Sequence, residues 1–336
     1  MMRSSVKRKC FFLFFLLSVA ALDISVYEVW AEAPPTAKIA YSSWRDGNMD
    51  IYLMNPDGSE EVRLTHHRAA DAGPKWSPTG EKILFVSNRG QRAWGTWDLY
   101  LMGADGSNVR RVFEKEAARD YPTWSPDGKQ IAYDRWEQGK FFIFIAPIEG
   151  KKEERVALGS QPAWSPNGTE IAFIVGPARD PKRFSLLDVR TRKHKFFFPP
   201  KGPAWVRHPA WSPEGDRLAF AWYNRVELRR EDAHIETIYI LNRGSMETQQ
   251  IVGEVGDAAV NPVWSPRGDE LLYEQFDTNN GVLQIFKVAV NGGPPMRLTN
   301  PNASHFLGDW FDPAFALPVS PQPQLATEIW GRVKQQ

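Results

Sequence analysis

Short apolar runs of four to seven residues, separated by turn residues, recur along the chain from residue 38 onward. Lys38-Ile-Ala-Tyr-Ser-Ser43, Asp50-Ile-Tyr-Leu-Met54, Glu61-Val-Arg-Leu-Thr65 and Gly73-Pro-Lys-Trp76 form one set. Lys82-Ile-Leu-Phe-Val-Ser87, Trp97-Asp-Leu-Tyr-Leu-Met102, Val109-Arg-Arg-Val-Phe113 and Tyr121-Pro-Thr-Trp124 repeat it in the same order. The runs are rich in β-branched and aromatic residues and too short for helices, so they predict strands. Asn55-Pro-Asp-Gly58, Ala104-Asp-Gly106 and Asn291-Gly-Gly293 supply hairpin turns between the third and fourth strand of a set.

The register is marked by Trp-Ser-Pro-x-Gly, which occurs at Trp76, Trp124, Trp164, Trp211 and Trp264, with a reduced copy at Trp310. Successive Trp residues lie 48, 40, 47, 53 and 46 positions apart, the period of a four-stranded propeller blade. Seven residues after each Trp of the full copies from Trp124 on comes a second-strand core: Ile131, Ile171, Leu218 and Leu271. In this motif Trp offers a plate between neighbouring blades, Pro presets the turn, and Gly supplies a left-handed residue. The Trp310 copy lacks the turn because no second strand follows it. The chain's first blade starts instead with a second strand at Lys38. The pattern therefore predicts an all-β fold: a six-bladed β-propeller of four-stranded antiparallel blades, over residues 34–316. A C-terminal strand around His305–Trp310 is expected to close it by pairing with the N-terminal blade.

Composition changes this picture at the ends. Residues 1–33 combine a basic stretch (Arg3 to Lys9) with a largely apolar stretch of 13 residues from Cys10 to Leu22, which predicts a secretory signal peptide. Ala31-Glu32-Ala33 is a cleavage candidate, with Ser18-Val-Ala20 as the alternative. Residues 317–336 read as a C-terminal tail with a linker and a short helical segment. The one cysteine, Cys10, lies in the signal, which leaves no disulfide and no thiolate chemistry in the exported part. Residues 34–336 carry 37 basic and 37 acidic side chains, a balance that gives no footprint for nucleic acid. A periplasmic or secreted monomer that meets the membrane only through its signal segment is expected.

The arrangement P-x-W-S-P-x-G, I-A-F/Y, D-I-Y-L-M-N-P-D-G and R-L-T resembles the six-bladed propeller of the TolB family of periplasmic proteins, over about residues 36–313. The α/β domain that precedes the propeller in TolB itself is not expected within these 336 residues. The resemblance implies a binding scaffold of the cell envelope. Similar repeats occur in prolyl oligopeptidase-type peptidases, but no G-x-S-x-G nucleophile motif is present.

Candidate chemistry is expected on the loops between second and third strands, where the blades differ most. Trp44 with Arg45, Arg92 with Trp94, Arg135 with Trp136, then Arg179, Arg183 and Arg225 make a Trp/Arg-rich rim. These residue types dominate interface hot spots, and Arg forks suit carboxylates of peptides or acidic glycans. The predicted function is a non-catalytic scaffold for an envelope protein, peptide or glycan, with no cofactor. The alternative is a metal-dependent carbohydrate- or peptide-active enzyme at the channel mouth, as in the similar oligogalacturonate lyases. His66, His67, His208 and His305, placed in blade connections, would then be the candidate ligands, although no short ligand motif joins them.

Overall fold

The computed structural model describes residues 31–90, 96–176, 182–199, 205–223, 236–253 and 258–318. The predicted signal peptide, apart from Ala31 to Ala33, and the tail beyond residue 318 lie outside the described residues. The described chain folds as six four-stranded antiparallel sheets arranged as propeller blades, with one 3-10 turn at Pro313–Phe315 as its only helical element. No described helix is long and apolar enough to cross a membrane.

Blades 2 to 6 take their strands consecutively. Their innermost strands are Asp71–Trp76, Arg119–Trp124, Ser160–Trp164, Trp205–Trp211 and Ala259–Trp264. Blade 1 is composite: His305–Phe311 is its innermost strand and pairs antiparallel with Lys38–Ser43, from His305 opposite Ser43 to Phe311 opposite Lys38. Closure leaves no innermost strand without its second-strand partner, which removes the open ends at which a propeller would otherwise fray or aggregate. The closing strand fits tightly. A Cβ on Gly308 would lie 2.6 Å from the carbonyl oxygens of both Ala40 and Pro74, so only glycine lets blades 1 and 2 approach here.

The core lies between blades rather than within one. Second- and third-strand residues such as Ile83, Phe85, Leu101, Tyr133, Phe173, Phe220 and Leu271 are buried, and packed groups run from each blade into the next. The Trp plates join these layers in a way the sequence only half revealed. Trp124, Trp211 and Trp264 each donate their ring N–H to the carbonyl just before the Trp of the preceding blade: Lys75, Ala163 and Ala210, at 3.1, 3.1 and 2.9 Å. Trp164 turns instead to the carbonyl of Gly168 in its own turn. The motif glycines have φ between +69° and +76°, as the turn requires.

A buried ion cluster ties blade 2 to blade 3. Arg119, fully buried, bonds Asp98 at 2.7 Å and grips Glu153 with two bonds of 2.8 and 2.9 Å, while lying over the Phe113 ring. Tyr133 adds a bond to Glu153 at 2.6 Å. Two carboxylates around one guanidinium satisfy the charges that burial would otherwise penalise.

Candidate functional site

The innermost strands of blades 2 to 6 share a defect. Each has a bulge before its Trp, where two residues oppose one on the second strand: between Ala72 and Lys75, Asp120 and Thr123, Ser160 and Ala163, Arg207 and Ala210, and Val260 and Val263. The residue three before Trp sits there with left-handed φ: Gly73 at +57°, Tyr121 at +49°, Gln161 at +54°, His208 at +53° and Asn261 at +54°. Proline follows every one of them, and a residue before proline is kept out of the right-handed helical region. Bulges re-aim side chains. Here they turn four polar side chains from four consecutive blades into the central channel, a cavity of 470 Å³ that Lys75, Asp309 and the six motif Trp residues also line. Left-handed backbone at a non-glycine residue costs on the order of 1 kcal/mol or more, and such strain concentrates at functional sites.

These side chains are linked across blades. The Tyr121 and His208 rings stack 6.2 Å apart, and Gln161 between them accepts from the His208 backbone N–H at 2.9 Å. The Gln161 N–H donates to Asp134 at 3.0 Å. Asn261 donates to Glu274 at 2.8 Å and to the Leu307 carbonyl at 3.2 Å, and the Leu307 N–H donates to Glu274 at 2.7 Å. Asp309 accepts from the Trp76 N–H at 3.0 Å, and Lys75 donates to the Gly308 carbonyl at 2.6 Å.

The enclosed walls shift the titration of this set. Burial pushes Glu274 up to about 7, against bonds from Asn261 and Leu307 that favour its charge. Burial raises Asp120 to about 6. Asp134, opposite Asp120 on the neighbouring strand, is raised well above the carboxylate range by burial and then by the Asp120 charge. Burial also raises Asp309, with Lys75 pulling the other way. His208 is driven down to about 3, first by burial and then by Arg207, Lys75 and Lys182, so its ring is neutral at physiological pH. Tyr121 is pushed up to about 12 by the enclosing walls although 43% of its surface meets the channel's water. The channel therefore presents neutral donors and acceptors beside carboxyls that exchange protons near neutral pH.

The residues expected at the loop rim are partly described, and not all of them are loop residues. Arg135 and Trp136 stand within the strand Gln130–Glu137, paired with Phe142 and Phe141, and Arg183 opens the strand Arg183–Asp188. Trp44 and Trp136 are 47% and 48% exposed, and Trp136 rests edge-on against Phe141 at 4.7 Å. Arg45 is held by Glu61 at 2.5 Å and by the Tyr41 hydroxyl at 2.6 Å, over the Tyr52 ring. Arg135 pairs with Glu137 at 2.9 Å and Glu153 at 3.2 Å. Arg183 donates to the Pro199 carbonyl at 2.6 Å and covers Phe196. These three guanidiniums brace their own blades, which leaves the indoles as the freer contact groups. Arg92, Trp94, Arg179 and Arg225 lie outside the described residues.

The four histidines do not come together. His66 and His67 are exposed in the connection between blades 1 and 2, where His67 accepts from the Ala69 N–H at 3.0 Å. His208 and His305 stand in strands rather than connections. His305 begins the closing strand, buried beside Tyr41 and bonded to the Asn300 carbonyl at 2.9 Å. Among the described residues, no three His, Cys, Asp or Glu side chains group as metal ligands. Of the polar channel set, the sequence pattern singles out His208 alone, as a metal ligand in a blade connection, and misses Tyr121, Gln161 and Asn261. The signal is the position before the motif's first proline, which holds Gly, Tyr, Gln, His and Asn in turn while the following Pro and Trp repeat.

Comparison with known proteins places this geometry. A model described as the TolB beta propeller domain matches residues 29–161 and 154–313. The Tol-Pal system protein TolB of Syntrophotalea carbinolica is 40% identical over 53 residues, 16% of this chain and 12% of that protein. The chain thus matches only about an eighth of that relative's length. Among solved structures, TolB from Acinetobacter baumannii superposes with a TM-score of 0.67 at 16% identity, over 82% of this chain and 66% of that one. A putative TolB from Agrobacterium tumefaciens gives 0.61 at 16% identity, over 84% and 99%. At such identities the structural likeness speaks for the fold.

Proposed function

Because the chain belongs to the TolB β-propeller family, we propose that it is an exported, non-catalytic binding scaffold of the cell envelope. Its partner is a protein, peptide or glycan that docks on the loop-bearing face and extends through the channel, whose cavity is lined at its other end by Pro166, Pro213 and Pro266 of the Trp-Ser-Pro turns. One observation carries this reading: four strained, non-glycine residues from four blades turn into one channel, where neutral hydrogen-bonding groups and the Tyr121 ring stand open to water. A scaffold with no ligand gains nothing from that strain. The exposed indoles of Trp44 and Trp136 suit the rim of such a contact, since Trp provides large, rigid contact area.

The test is site-specific photo-crosslinking in an envelope preparation, with the probe at position 44, 121 or 136. All three positions should trap the same partner. Trp44→Ala, Trp136→Ala and Tyr121→Ala should weaken capture tenfold or more at a nearly unchanged melting temperature. Trapping of unrelated proteins at the three positions, or full capture by the triple variant, defeats the proposal.

The raised carboxyls favour a second reading. Glu274 near 7 and Asp120 near 6 have the proton affinity that general acid–base catalysis at neutral pH uses. Turnover of oligosaccharides or peptides that is lost in both Glu274→Gln and Asp120→Asn would replace the scaffold reading with this one.

A further inference from the structure

We propose that the turn-bearing edge of blades 3 and 4 docks onto an anionic lipid surface. The expectation of membrane contact through the signal segment alone is thereby extended to the folded propeller. The inference rests on this edge and is independent of what the channel binds.

The turn before the outermost strand of blade 3 presents Lys151 and Lys152, both exposed. The corresponding turn of blade 4 presents Arg190 and Lys193, and its outermost strand, His194–Phe198, adds Lys195 and Phe196. The two turns are joined: Arg192 grips Glu154 with bonds of 3.0 and 2.8 Å, and Lys152 lies near enough to lower the Glu154 pKa together with Arg192. That pairing neutralises Glu154. Asp188 accepts from the Thr191 N–H and hydroxyl at 2.7 and 2.8 Å and faces Arg190, while Glu149 remains as an exposed acid. Among the described residues, no ion pair engages Lys151, Lys152, Arg190, Lys193 or Lys195.

Two further features separate this edge from an ordinary solvated one. Phe196 is 60% exposed, the most exposed of the large hydrophobic residues among those described, and sits within three positions of Lys193. The equivalent turns of blades 1 and 2 carry the opposite charge, with Asp57, Glu60 and Asp105 exposed. The turns of this face therefore differ in charge. They are acidic in blades 1 and 2, where Lys38 bridges Glu60 at 3.4 Å, and mainly basic beside an exposed aromatic in blades 3 and 4, where Asp127 and Glu149 are also exposed. Clustered cations with an aromatic that can enter the headgroup layer are the pattern for peripheral binding to anionic bilayers. The outermost strand of blade 4 is also an edge, and its flanking lysines discourage pairing with another strand.

Flotation of the purified full chain with phosphatidylglycerol/phosphatidylcholine vesicles, against pure phosphatidylcholine vesicles, tests this. Binding should require the anionic lipid and weaken steeply with salt. Single reversals such as Lys151→Glu or Lys193→Glu should each lower binding about fivefold. The variant reversed at Lys151, Lys152, Arg190 and Lys193 should no longer float, at an unchanged melting temperature. Phe196→Ser should lose about fivefold without changing the salt dependence. Asp57→Lys with Asp105→Lys, on the opposite sector, should retain full binding. Equal binding to both vesicle types, flotation of the four-fold reversed variant, or capture of heparin with no vesicle binding would each overturn the proposal.

Discussion

Glu274 offers the sharpest test of the channel's electrostatics. It is buried and accepts from the Leu307 N–H of the closing strand and from the Asn261 amide. Burial lifts its pKa from the ordinary 4.5 to about 7. A folded pKa above the unfolded one means that the folded state holds the proton more tightly. The group's contribution is therefore full below about 4.5 and is lost as the pH rises through about 7. Keeping this carboxylate ionised inside the folded protein costs about 3 kcal/mol at pH 8, from about 1.4 kcal/mol per pH unit between the two values. Glu274→Gln keeps the acceptor oxygen and the shape while removing the charge. It should stabilise the protein by about 2 to 3 kcal/mol at pH 8 and change it by less than about 0.5 kcal/mol at pH 4.5. Urea unfolding at both pH values, with the slope checked for constancy, measures this. A change of equal size at both values, or destabilisation at pH 8, would refute the assignment of a strained charge. The second outcome would mean that the anion is held by bonds strong enough to outweigh its burial.

The remaining predictions concern blade junctions. Arg119→Leu leaves Asp98 buried without its cation and should destabilise the fold by about 3 to 5 kcal/mol; adding Asp98→Asn should recover part of the loss in a double-mutant cycle. Gly308→Ala forces a methyl against the carbonyls of Ala40 and Pro74 and should lower the melting temperature through loss of closure, with light scattering showing self-association as the first blade opens. Trp264→Phe removes the 2.9 Å bond to the Ala210 carbonyl and should destabilise by about 1 to 2 kcal/mol. No change in the unfolding midpoint would show that the ring N–H contributes only packing.

By itself, the sequence determined the architecture. Trp-Ser-Pro-x-Gly at a period of 40 to 53 residues dictates four-stranded units, because each element of the motif has a local physical job: a plate, a preset corner, a left-handed turn. The truncated copy at Trp310 with an orphan second strand at Lys38 dictated closure, since an unpaired strand edge is unfavourable wherever it stands. These are short-range rules, and short-range rules are written in neighbouring residues. Only the tertiary structure decided what the channel holds. Tyr121, Gln161, His208 and Asn261 are 40 to 53 residues apart in sequence and share no residue type. They become one site because the same bulge in each innermost strand turns them toward a common axis. The titration of Glu274, Asp120 and His208 likewise depends on burial by other blades, a property of the closed ring rather than of any segment. The arginines of the rim show the same limit from the other side. Their spacing put them near the connections between second and third strands, with Arg135 near the end of one strand and Arg183 at the start of another. Whether a guanidinium is free or already held by a glutamate is settled by contacts that form only once the blades have packed.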